Sequence, residues 1–214
     1  MKNLRFFIAI CIVSVCVMSS VYSQTLLGNL NYWFSDSDYI YRYKFKPTIS
    51  YSVGDNSGFI IGKLYDYVNH ARTQWSTNGE MTSTYVGTNS DIEIFFGSYS
   101  QIANRIPGFA TSTDPDKIKG GRTIFPGNIT EEGNYMHTTG VKTCFSIDQS
   151  LIGVAYNSEL TDNTYKNIVT HELGHGFGWI GHSSNTSHIM NPQSSNITTV
   201  NITEAKHLRQ VKAY

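Results

Sequence analysis

The chain has 214 residues, 40% hydrophobic and 13% aromatic, and its 16 Lys and Arg balance 16 Asp and Glu to a net charge of zero. That length and apolar content suit one folded domain with a sizeable core and exclude a disordered chain. With a net charge of zero, nothing in the sequence points to nucleic acid or to an anionic membrane surface.

The N-terminus reads as a processing signal. Lys2 and Arg5 precede an apolar run, Phe6 to Met18, too short to span a bilayer comfortably, and Val21-Tyr22-Ser23 resembles a cleavage site. Residues 1–23 are therefore expected to be a signal peptide. The mature protein would begin at Gln24, be secreted, and carry no membrane segment. Cys11 and Cys16 leave with the signal, so Cys144 stands alone and no intrachain disulfide can form. It lies in Val141–Ile147, which alternates as a strand. A packed thiol is expected there rather than a nucleophile.

Residues 24–40 form a short N-terminal segment, and 41–214 the folded domain. Tyr41 to Val53 reads as a first strand and Gly54 to Gly58 as a turn. Ile60, Ile61, Leu64, Tyr65, Val68, Ala71 and Trp75 follow helical spacing, which predicts a helix over 58–76. His70 on it reads as a surface or core histidine. Strands are expected at 82–86 and 91–99, where Ile92, Ile94 and Phe96 alternate with Asp91, Glu93 and Phe95. Gln101 to Glu132, with three prolines, reads as irregular. Its Asp114, Asp116, Glu131 and Glu132 could supply oxygens to a structural Ca²⁺, although no ordered ligand spacing is visible. Further strands are predicted at 141–147 and 152–156. Thr161 or Asp162 can cap the next helix, which buries Tyr165, Ile168 and Val169, and Thr203 can cap a last one that buries Ala205, Leu208 and Val211.

The stretch with chemistry is His171-Glu-Leu-Gly-His175, followed by Gly178, Gly181-His182-Ser183 and Met190. On a helix, His171 and His175 lie on one face, one turn apart. Two imidazoles so placed can grip one Zn²⁺ at about 2.0–2.1 Å each. Glu172 then leans beside the metal, where a general base for a zinc-activated water belongs. Gly178 can end the helix by taking positive φ. The returning chain offers His182 as third ligand.

These residues resemble the metzincin zinc metalloproteases, whose pattern is H-E-x-x-H-x-x-G-x-x-H with a downstream Met-turn. The nearest likeness is to the matrixin, or matrix-metalloproteinase-like, branch, where H-E-L-G-H is followed by G-H-S. Here the usual third-histidine position is Gly181, and His182 is one residue late, as though a residue were inserted at Trp179 or Ile180. A loop tolerates such an insertion. The resemblance implies an α+β fold: a twisted mixed sheet with long helices, and a zinc cleft between a larger N-terminal and a smaller C-terminal subdomain. It implies that Met190 forms the turn beneath the metal. It also implies an extended peptide substrate along an exposed sheet edge, and an S1′ pocket walled by the active-site helix and residues around Asn191 to Thr199. Some matrixins bind a second zinc, for which His137 could serve, but no partner pattern accompanies it. The family's inhibitory pro-segment carries a cysteine that 24–40 lacks.

The expected function is thus a secreted, monomeric zinc endopeptidase acting on protein or peptide substrates, with Glu172 as base and His171, His175 and His182 as ligands. The alternative is a non-catalytic zinc-binding protein on the same scaffold; the retained Glu172 argues for the enzyme. Two rivals for third ligand are Glu204, read as a first-turn dipole partner, and His188, expected to point outward from the Met turn. On that reading His188→Ala and Glu204→Gln stay close to wild type. Asn128, Asn185, Asn196 and Asn201 head glycosylation sequons that matter only in a eukaryotic secretory route.

Overall fold

A computed structural model describes residues 39–79, 81–109, 120–137, 140–192 and 196–211. The expected signal peptide and Asp114 and Asp116 lie outside the described residues. The architecture is mixed α and β, with two mixed sheets and, among the described residues, four helices. No described helix is long and apolar enough to cross a membrane.

The expected first strand is two strands in different sheets. β1 (Tyr39–Arg42) pairs in parallel with β7 (Gly140–Ile147), whereas β2 (Thr48–Val53) joins the larger sheet. Pro47 separates them: it has no N–H for a ladder and restricts the residue before it. Among the described residues, β1 begins at Tyr39, two residues ahead of the expected strand start.

The larger sheet runs β3-β2-β4-β8-β5, with β3 (Thr84–Tyr85), β4 (Ile92–Gly97), β8 (Ser150–Ala155) and β5 (Gly121–Ile124). All its pairings are parallel except β5 with β8. Side chains alternate across it. Ile92, Ile94, Phe96, Ile152 and Val154 join the main core, while Phe95, Leu151 and Ala155 join a smaller one. The second core is made by α2 (Tyr99–Arg105), which Ser98 and Gln101 start with a capping box. Sheet strands covered on both faces become continuously apolar. That is why Phe95, expected opposite the core, is buried beneath Arg105, whose guanidinium lies 4.3 Å from the ring centre.

The main core is closed by α1 (Ile61–Gly79) and α3 (Asp162–Gly176). Leu64, Val68, Ala71 and Trp75 recur on one face of α1 and are wholly buried. The Trp75 indole donates to the Thr170 carbonyl at 2.8 Å and locks the two helices together. α4 (Ile202–Val211) adds Ala205 and Leu208.

The stretch expected to be irregular holds α2, β5 and the start of β6 (Ile129–His137), which forms a hairpin with β7 bulged between Glu131 and Gly133. Polar, proline-punctuated sequence conceals these strands, because their pairing partners rather than their own periodicity define them. Glu132, one of the carboxylates offered for Ca²⁺, is engaged by two cations. It pairs with Arg42 at 2.7 Å and Lys44 at 3.5 Å. Burial pushes its carboxyl up, but the two cations outweigh that and hold it below the usual range. Cys144 is buried, and desolvation pushes its thiol up to about 11, as befits a packed rather than a nucleophilic cysteine.

Candidate metal centre

α3 sets the site. Thr161 is its N-cap, accepting from the Thr164 N–H at 3.2 Å, and Asp162 sits in the favourable first turn. Tyr165, Val169 and Leu173 form the buried stripe. That stripe turns His171 and His175 together to the opposite side.

The helix ends as the glycine spacing predicts. Phe177, Gly178 and Trp179 donate back to Leu173, His175 and Gly174 at 2.9, 2.8 and 3.1 Å. Gly178 takes φ +107°, and a Cβ there would strike the Tyr41 carbonyl, so glycine is required twice over. After Gly181, at φ +82°, the chain returns His182 to the helix.

The three imidazoles form a nearly equilateral triangle. Ring centres are 4.9 Å apart for His171–His175, 5.0 Å for His175–His182 and 5.2 Å for His171–His182. One candidate ligand atom from each lies within 4.8 Å of the others, the one such cluster among the described residues. His182 therefore reaches the site despite its late position. Glu204 and His188 are not part of the cluster.

Hydrogen bonding fixes the tautomers of two of the three. His171 Nδ1 lies 2.7 Å from the Ile189 carbonyl, and His175 Nδ1 lies 2.7 Å from the Trp179 carbonyl. A carbonyl only accepts, so each Nδ1 carries the proton and each Nε2 presents a lone pair. The two Nε2 atoms stand 3.2 Å apart. Facing lone pairs at that distance repel unless a cation lies between them. A tetrahedral zinc with bonds of about 2.0–2.1 Å spaces two nitrogen ligands about 3.3–3.4 Å apart, so the residues fit a metal of this type.

The protein also keeps His175 neutral, as a ligand must be. Burial, then the neighbouring His171, lower its pKa to about 3, against the opposing pull of the Trp179 carbonyl. Folded metal-free protein thus binds fewer protons than unfolded protein between the ordinary histidine value and about 3. The contribution of His175 to stability is full above about pH 6.5 and declines as pH falls below it. Denaturant midpoints in chelator at pH 7.5 and pH 5 should differ in wild type and converge in His175→Gln. Equal midpoints in wild type would contradict the neutral-imidazole assignment.

Glu172 is 7% exposed, and its Oε2 accepts from the Thr123 hydroxyl at 2.7 Å. β5 lies close over α3 here. A Cβ on Gly121 would press on the Glu172 and Ile168 side chains. The carboxylate is therefore held between helix and edge strand.

Below the histidines, Met190 is fully buried, and a Cβ on Gly174 would collide with its sulfur and with Trp75. The glycine between the two histidines is what lets the thioether reach the helix. The loop after His182 is pinned by Ser183, which is buried. Its N–H donates to the Met190 carbonyl at 2.9 Å, its carbonyl accepts from Asn191 Nδ2 at 2.9 Å, and its hydroxyl is 2.8 Å from His188 Nδ1. The segment beyond the Met turn is tied to both helices. Asn167 donates to the Ile197 carbonyl at 2.6 Å, and His70 Nε2 lies 2.6 Å from the Thr198 carbonyl.

Three expectations are corrected. His188 does not point outward; it is 6% exposed and bonded to Ser183 and Asn185. Its neighbours Ile189 and Met190 are drawn inward by Glu204, and it follows. Glu204 is more than a dipole partner. Fully buried, it accepts from the Met190 and Asn201 N–H groups at 2.8 and 2.9 Å and from the Ile189 N–H. Burial nonetheless pushes its carboxyl up. The cap of α4 is Asn201 rather than Thr203: Asn201 Oδ1 accepts from the Thr203 N–H at 2.8 Å while Glu204 answers the Asn201 N–H. The spacing Asn201-x-x-Glu204 resembles a capping box, with the Asn201 side chain on the second helical N–H instead of the third. Thr123 had no comparable signal, since its strand was not recognised.

No protein-family model matches the chain, and no curated protein matches it in sequence.

Proposed function

We propose that the chain is a zinc-dependent endopeptidase of metzincin type, similar to the matrixins. The observation that carries this reading is the convergence of three imidazoles, two with lone pairs oriented inward, beside a buried carboxylate on the same helix turn. Zinc bound there supplies Lewis acidity toward the scissile carbonyl and an acidified water. His171 and His175 hold their tautomers through backbone carbonyls, so neither needs to reorganise. Glu172 accepts a proton from the attacking water and passes it to the leaving amine. β5, at the edge of the larger sheet, is placed to align an extended peptide by main-chain pairing.

The remaining parts of the proposal rest on sequence: a signal peptide over 1–23, a secreted mature protein from about Gln24, and a monomer acting on protein or peptide substrates. Activity on casein or a peptide library should vanish in chelator and return with Zn²⁺. Full hydrolysis by metal-free protein would exclude the whole site assignment, and stoichiometric zinc without any hydrolysis would favour the binding-protein alternative.

A further inference from the structure

We propose that Thr123 is a positioning residue that couples the edge strand to the Glu172 carboxylate; this rests on the endopeptidase reading for its consequence, though not for its geometry. The register of β5 carries the argument. Gly120 accepts from the Ala155 N–H at 3.0 Å, and Gly121, Arg122, Thr123 and Ile124 lie opposite Val154, Gly153, Ile152 and Leu151. In an antiparallel ladder, bonded and non-bonded pairs alternate. Gly120, Arg122 and Ile124 therefore turn their amides and carbonyls to β8. Gly121 and Thr123 turn theirs to the free edge, where no described strand pairs.

Side chains alternate with the same period. Those of positions 121 and 123 face α3, as both contacts show. A Cβ on Gly121 would meet Glu172 and Ile168, and the Thr123 hydroxyl lies 2.7 Å from Glu172 Oε2 and 3.0 Å from the Glu172 carbonyl. One residue thus offers its main chain outward, to an extended peptide, and its hydroxyl inward, to the base. A peptide bound by its backbone to Thr123 is registered against the same atom group that orients the carboxylate. Gly121 supplies the clearance: a Cβ there would press on the Glu172 and Ile168 side chains.

Thr123→Val keeps size, β-branching and main-chain edge but removes the hydroxyl. In the zinc-loaded full chain, kcat should fall about 10-fold or more, as for a misaligned reacting group. KM should stay within about twofold, since the backbone edge is intact. Thr123→Ser should restore most of kcat, and zinc stoichiometry should not change in either. Crystal structures of the two variants give a readout independent of activity: the Glu172 carboxylate should leave its position in Thr123→Val and return to it in Thr123→Ser. Should the valine variant not fold, Thr123→Ala and Thr123→Ser carry the same comparison. Wild-type kcat with an unmoved carboxylate in a hydroxyl-free variant would overturn the proposal. If wild-type protein hydrolyses no peptide, the functional reading fails, and the carboxylate positions still decide the role of Thr123.

Discussion

Glu172→Ala should remove peptide hydrolysis while metal stays bound. The carboxylate sits one residue from His171 but is bonded to Thr123 and does not belong to the three-histidine cluster. Loss of a positioned general base costs about 10²–10⁴-fold in rate. Zinc content by elemental analysis should remain stoichiometric. The proper contrast is His182→Ala, which removes the exposed corner of the triangle. It should lose zinc affinity by at least about 10-fold, the scale of a damaged coordination shell, together with activity. Near-wild-type turnover in Glu172→Ala would refute the catalytic role, and tight zinc in His182→Ala would mean that the third ligand has been misassigned.

The second large effect is expected at Glu204, a position that helix-dipole reasoning alone would treat as tolerant. Its carboxylate accepts the N–H groups of Ile189, Met190 and Asn201 in a fully buried site. Leaving buried donors unanswered costs about 1–3 kcal/mol each, so Glu204→Ala should destabilise by about 3–5 kcal/mol and lower the thermal midpoint by about 10 °C. Glu204→Gln keeps one acceptor oxygen but turns an amide N–H₂ toward backbone donors, and should cost about 1–3 kcal/mol. The effect should reach the metal. Ile189, whose N–H Glu204 holds, offers the carbonyl that fixes His171 Nδ1 at 2.7 Å. Zinc affinity should therefore fall with stability in both variants. Unchanged melting and unchanged zinc affinity in Glu204→Ala would remove Glu204 from any role in the Met turn.

What the sequence alone determined is local. A histidine pair four apart, a carboxylate beside the first and a glycine after the helix each encode their geometry within one or two turns. The helices over 61–79 and 162–176 and the buried face of β4 were legible for the same reason: an apolar period is read without knowing the partner. Met190 and His182 were reachable through the resemblance and the short span that joins them to the helix.

Tertiary structure decided the rest, because it depends on what lies opposite in space. β5 has no periodic signal of its own, and only its pairing with β8 and its descent onto α3 place Thr123 beside Glu172. Pro47 divides one expected strand between two sheets. Glu132 reads as a free loop carboxylate until β1 brings Arg42 to it across the fold. His188 reads as pointing outward and Glu204 as a helix-dipole partner until the Met turn is seen to be closed by buried polar bonds. Burying a carboxylate or an imidazole is costly unless its partners are in place, and those partners stand many residues away in the chain. Chain order supplies the three imidazoles, whereas only the folded core supplies the backbone carbonyls that hold His171 and His175 still.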